Sequence, residues 1–185
     1  FVGGVQPPGF LELTNQVWRG RVALAYPMFG TTGTHFLVLR QRWGEKAWLD
    51  WCRALQANKP LLVDGNSVVV KMVGRGEAWI GLTDSDDVMA GAQDGLPVAS
   101  VPINLARDGL QIPNTVAILR SAPHPSEAQQ LSDYLRGDGV YQYLFEAGAL
   151  QGRTMTLNAG VPINWTALLE TQQAGLNQLK EIFLR

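Results

Sequence analysis

The chain has 185 residues, 46% of them hydrophobic and 17% charged, with a formal net charge of −1. That is an ordinary globular composition, enough for one domain or two small lobes. The near-neutral balance gives no electrostatic footprint for nucleic acid, and no segment approaches the 18 uninterrupted apolar residues of a membrane span. The single cysteine, Cys52, excludes an internal disulfide and any cysteine-based zinc cluster.

The opening FVGGVQPPGF lacks the basic head and long apolar core of a signal peptide and has the composition of a linker. Val22 to Ala25 read as a strand, followed by the turn Gly30-Thr31-Thr32-Gly33-Thr34 and a helix from Thr34 to Trp43. Glu45 to Ala57 form a second helix, with Trp48, Leu49, Cys52 and Leu55 on one face. Leu61 to Val63 make a short strand. Asp64-Gly65-Asn66-Ser67 is a turn with capping residues, and Val68 to Val73 continue as a helix despite the β-branched run. Ala78 to Leu82 are a strand that runs into Thr83-Asp84-Ser85-Asp86-Asp87, and Asp84 to Gln93 look helical, with acids in the first turn where the helix dipole favours them.

Val98 to Ile103 and Thr115 to Leu119 read as two further strands, and Ser126 to Arg136 and Val140 to Ala147 as helices. Asn164 to Leu184 is a long closing helix with Trp165, Leu168, Leu169, Leu176, Leu179 and Phe183 on its apolar side. Alternating strands and helices argue an α/β fold with a mostly parallel sheet flanked by helices. In such folds ligands gather in the loops at the carboxyl ends of strands.

Three loops here fit that description: GTTGT, DGNS and TDSDD. Thr31, Thr32, Gly33 and Thr34 suit a small anion at the positive end of a helix, because threonine hydroxyls and glycine-exposed backbone N–H groups converge there. A plain helix cap is the simpler alternative. The stretch is not a phosphate loop, because no lysine follows the second glycine. Asn66 and Ser67 would serve as a turn and cap with no ligand at all, or as contacts on the same edge. Asp84, Asp86 and Asp87 read as first-turn acids, as ligands to a cation, or as acceptors for an amine or sugar hydroxyl. Their spacing is not that of an EF-hand. His35 and His124 stand apart with no nucleophile or base around either, so nucleophilic catalysis finds no support.

The segments WRGRVALAYPMFGTTGTH, WGEKAWLDWCRALQANKP, DGNSVVVKMVGRGEAWIGLTDSDD, GLPVASV and IPNTVAILRSAPHPSEAQQLSDYL resemble, in this order, the periplasmic solute-binding proteins of ABC transporters. Within these the chain is most similar to the ferric-iron-binding branch of the type II fold, from about Leu13 to about Leu150. The resemblance implies two α/β lobes that close on a solute, an ABC permease as partner, no catalysis, and a periplasmic or extracellular location with a lipid anchor as one means of attachment. Family members are longer, so the chain is expected to lack most of a first lobe. Residues 1–12 are then its remnant or a linker, 13–100 the second lobe with the ligand loops, 101–150 a return segment partly in the first lobe, and 151–185 a tail and closing helix.

The expected ligand residues are Thr31, Thr32, Gly33, Thr34, Asn66, Ser67, Thr83 and Asp84, with Asp84 and Asp86 as candidate metal ligands. Iron-binding members place an adjacent tyrosine pair where this chain has Thr83-Asp84-Ser85-Asp86-Asp87; its tyrosines, Tyr26, Tyr134, Tyr141 and Tyr143, lie elsewhere. Fe(III) or another metal is therefore a candidate transported ligand held by carboxylates, which are hard oxygen donors but discriminate less against Ca(II) and Mg(II). The expected solute is a small anion or a ferric–anion complex. The alternatives are a metal-dependent α/β enzyme using the TDSDD carboxylates, or a single lobe used as an assembly domain.

Overall fold

The computed structural model describes residues 9–101, 103, 110–150, 152 and 163–184. The chain divides into two compact units, one of Phe1–Leu110 with Ala159–Arg185 and one of Gln111–Asn158.

The first unit is built on three parallel strands, β1 (Val22–Ala25), β2 (Leu61–Val63) and β3 (Ile80–Leu82), in the order β2-β1-β3. Ala23 pairs with Leu61 on one side and with Gly81 on the other. The central strand, VALA, is buried along its whole length, as a parallel strand covered on both faces must be. Its side chains alternate between the faces. Val22 and Leu24 join Phe36, Leu39, Trp48, Leu55 and Leu179 in one cluster, while Ala23 joins Val69 and Ala78 in another. The first face is therefore covered by α1 (Gly30–Trp43), α2 (Glu45–Ala57) and α7 (Trp165–Phe183), and the second by α3 (Asn66–Gly74), against which α4 (Ser85–Gln93) packs.

Three of the four residues expected on the inner face of α2, Trp48, Cys52 and Leu55, are buried, and Trp51 joins them while Leu49 is only partly buried. Each large side chain buried there contributes roughly 1.5–3 kcal/mol relative to exposure. The closing helix is rotated from the expected face. Leu168, Gly175, Leu179 and Phe183 are buried, whereas Trp165 and Leu169 are exposed. The reason is Gly175: it brings α7 so close to α1 that a Cβ would lie 2.4 Å from Leu37 Cδ2, and the contact line runs through that glycine. Phe10, in the stretch whose composition reads as linker, is buried and stacks on Trp51 at 4.9 Å.

The second unit carries α5 (Pro125–Leu135) and α6 (Asp138–Glu146). Proline at the start of α5 suits a position whose N–H has no helical partner. The expected strand Thr115–Leu119 is not formed: these residues join no ladder, and Val116, Ile118 and Leu119 are exposed. The described residues of the expected strand Val98–Ile103 join none either, and residue 102 lies outside the described residues. A strand needs a neighbouring chain for its N–H and C=O groups, and the described residues place none beside either stretch. No helix among the described residues is long and apolar enough to cross a membrane.

Candidate functional site

β1, β2 and β3 run parallel, so the loops that follow them emerge at one edge of the sheet. Each loop leads directly into a helix: Tyr26–Phe29 into α1, Asp64-Gly65 into α3, and Thr83-Asp84 into α4. The turn from β1 ends on Phe29 in extended conformation, followed by Gly30 at φ +56° with open space where a side chain would stand. Helix α1 therefore begins at Gly30, four residues before the expected Thr34, and the threonines form its first turn. The side chains of the three residues that precede these helices, Phe29, Gly65 and Asp84, cap none of them.

The polar side chains of the three loops bind one another instead. The Thr31 hydroxyl donates to Asp84 Oδ2 at 2.7 Å, and the Asn66 amide nitrogen donates to Thr31 Oγ1 at 2.9 Å and to Asp84 Oδ2 at 2.8 Å. At its other end the Asn66 amide oxygen accepts from the Thr32 hydroxyl at 3.1 Å, and the Asn66 backbone carbonyl accepts from Thr83 Oγ1 at 3.3 Å. Thr31, Thr32, Asn66, Thr83 and Asp84, each expected at a ligand site, thus form one connected group.

The remaining candidates stand differently. Gly33 is buried, and a Cβ on it would come 3.1 Å from the backbone carbon of Met28, so its lack of a side chain serves close packing of the turn. The Thr34 hydroxyl turns back along its own helix to the Gly30 carbonyl at 3.1 Å, and Ser67 is exposed. Asp84, Asp86 and Asp87 each offer an oxygen within 4.8 Å of the others, close enough to share a cation. The Asp87 carboxyl is raised above its usual range, by loss of solvent first and then by the charges of Asp86 and Asp84. Phe29, at the mouth of α1, is 68% exposed; no motif or periodicity marks it out in the sequence.

Cys52 is wholly buried, and that burial pushes its thiol far above the ordinary range, the state of an inert packing thiol. His35 packs beside Phe10 at 5.4 Å and Phe36 at 6.4 Å, while His124 is an exposed residue at the start of α5. The converging group is thus rich in hydrogen-bonding and cation-holding atoms.

A family model for bacterial extracellular solute-binding proteins matches residues 6–148. No curated protein matches the chain. Among solved structures, iron-bound HitA from Pseudomonas aeruginosa superposes with a TM-score of 0.71 at 19% identity, over 97% of this chain and 62% of that one. A two-component system protein that mediates signal transduction gives 0.60 at 18% identity, over 92% of this chain and 63% of that one. The chain therefore spans less than two thirds of the length of either. At such identities the likeness is one of fold, and it is an α/β periplasmic-binding fold like that of HitA. With the family matched over most of its length, the chain belongs to the bacterial extracellular solute-binding proteins.

Proposed function

We propose that the chain is the solute-binding part of an ABC importer, working in the periplasm or at the outer face of the membrane through a lipid anchor, and delivering its solute to the permease without chemical change. In this reading residues 13–100 form the lobe that carries the ligand loops, and residues 101–150 return toward the other. The solute lies against the three-loop face, and binding stabilises the closed arrangement of lobes that the permease recognises.

The electrostatics of that face favour an anion delivered with a cation over a bare anion. Three helix N-termini contribute about half a positive charge each. Three carboxylates, Asp84, Asp86 and Asp87, stand at the same mouth, and their summed charge outweighs the helix ends about twofold when all are ionised. A free oxyanion meets net repulsion there. A complex of Fe(III) or another hard cation with an anion meets carboxylate oxygens for the metal and first-turn N–H groups for the anion, with Asp84 and Asp86 as the metal ligands. The carboxylates beside the helix mouths are the observation that carries this reading.

The test is calorimetry of the protein with ferric phosphate, ferric citrate and phosphate alone. Binding of a ferric complex, with phosphate alone much weaker, is expected. Replacing Thr31 and Thr32 together with alanine should weaken it by a few kcal/mol, at about 0.5–1.5 kcal/mol per hydrogen bond and about 1.5–3 where the acceptor is charged. Unchanged affinity in the folded variant, or tighter binding of phosphate alone, would overturn the proposal.

A further inference from the structure

Thr31 Oγ1, Asp84 Oδ2 and Asn66 Nδ2 form a nearly equilateral triangle with edges of 2.7, 2.8 and 2.9 Å. Seen from the nitrogen, its two oxygen partners subtend roughly 60°, half the angle of about 120° between the N–H bonds of a planar amide. The amide therefore addresses hydroxyl and carboxylate from one side. Its orientation is fixed from behind, because Thr32 holds the amide oxygen and Thr83 the backbone carbonyl of the same residue. Asn66 thus joins the first turns of α1 and α3 to the start of α4, and it is the member bonded to all three threonines of the group and to the aspartate.

Asp84 receives this grip on one oxygen. Both the Thr31 hydroxyl and the Asn66 amide donate to Oδ2. A carboxylate has lone pairs on two oxygens, so tethering one selects which way the other faces. Asp84 is at the residue before α4 where its side chain would ordinarily cap the helix, and it does not. Something other than the helix sets its rotamer.

We propose that Asn66 is a positioning residue, which holds Asp84 by Oδ2 so that Oδ1 is the oxygen presented to the solute. The proposal rests on the solute-binding role of the three-loop face. It assigns Asn66 an action through Asp84, separate from any contact of its own with the solute.

Two measurements on the full chain test it. In the unliganded protein, three-bond couplings about the Asp84 χ1 bond should report one rotamer. They should report averaging in Asn66→Ala and in Asn66→Leu, which keeps the approximate shape of the side chain and removes its donor hydrogens without adding a charge. A role in shape alone would leave Asn66→Leu unaffected. The second measurement uses terbium(III), a hard trivalent cation read by its luminescence. Its affinity should fall about tenfold in Asn66→Ala, the size of one hydrogen bond to a charged group, and by less than twofold when the same change is made in an Asp84→Ala background. A single Asp84 rotamer retained in both Asn66 variants overturns the proposal, as does an equal loss of affinity in the Asp84→Ala background. If terbium(III) does not bind the wild-type protein, the cation-bearing solute is refuted, while the couplings still decide the role of Asn66.

Discussion

Gly81, in the middle of β3 and paired with Ala23, is a place near the site where a single added methyl group would force the packing apart. A Cβ there would lie 2.5 Å from Val69 Cγ1 and 3.2 Å from Val73 Cγ2. Val69 is fully buried in α3, and a valine in a helix has one strongly preferred rotamer, so it cannot swing aside. Helix α3 must instead retreat by roughly 1 Å to restore an ordinary carbon–carbon separation of about 3.5–4.0 Å. Overpacking of this kind costs roughly 1–3 kcal/mol. The stiffer unfolded chain offsets about 0.4–1 kcal/mol of it, so Gly81→Ala should destabilise by roughly 0.5–2 kcal/mol. Val69→Ala should cost roughly 2 kcal/mol, from two lost methyl groups at about 0.8 kcal/mol each plus a cavity. In the double variant the methyl group added at position 81 occupies the space that the valine side chain vacates. Urea unfolding should then show a loss smaller than the sum of the single losses by about 1 kcal/mol or more. Additive losses would mean that Gly81 and Val69 do not meet as described. The retreat also moves Asn66, at the head of the same helix, so Gly81→Ala should loosen Asp84 as Asn66→Ala does.

Asp87→Asn tests the acidic cluster through pH. The folded-state carboxyl is raised by desolvation and by Asp86 and Asp84, so the protonated form is the favoured one. Whatever Asp87 contributes is fully present below its unfolded value near 3.9 and is lost as pH rises through the folded value. The stability of the variant relative to wild type should accordingly improve from about pH 3 to about pH 7 in thermal unfolding, and a constant or falling difference would contradict the shift. Titrating Fe(III) into the protein should produce no strong visible phenolate band, since the stretch after β3 carries Asp84, Asp86 and Asp87 and no adjacent tyrosine pair. Such a band would show that tyrosines, and not these carboxylates, hold the metal. Asp84→Ala should lower the affinity for that metal by more than it lowers stability.

What the sequence could say about this fold depended on how local the cause was. β1, β2 and α2 fall at the expected residues, because an apolar VALA or LLV run and a 3.6-residue periodicity are properties of the segment itself. The start of α1 could not be read from GTTGT, since either a threonine cap or a threonine first turn satisfies the same pattern; Phe29 takes the extended conformation and settles it. Among the described residues, those of the strands expected at Val98–Ile103 and Thr115–Leu119 join no ladder, because pairing is supplied by a neighbour. The three ligand loops were legible from strand–helix order alone. That Thr31, Asn66 and Asp84 bind each other was not, because it depends on β3 lying beside β1 across from β2. Nor could Gly81 be recognised as a packing position, when its reason is a valine methyl twelve residues earlier.

The placement of α7 has a kinetic consequence. Leu179 and Phe183 complete the same core as Phe36, Leu39 and Trp48, yet more than a hundred residues separate α7 from α1 along the chain, and the whole of Gln111–Asn158 is folded separately in between. Loop closure across such a span is slow to form and must precede the contacts that reward it. During synthesis the sheet and its first helices emerge with one apolar face uncovered, and it stays so until Trp165–Phe183 has been made. That delay makes the nascent apolar face, not the finished protein, the species most exposed to aggregation.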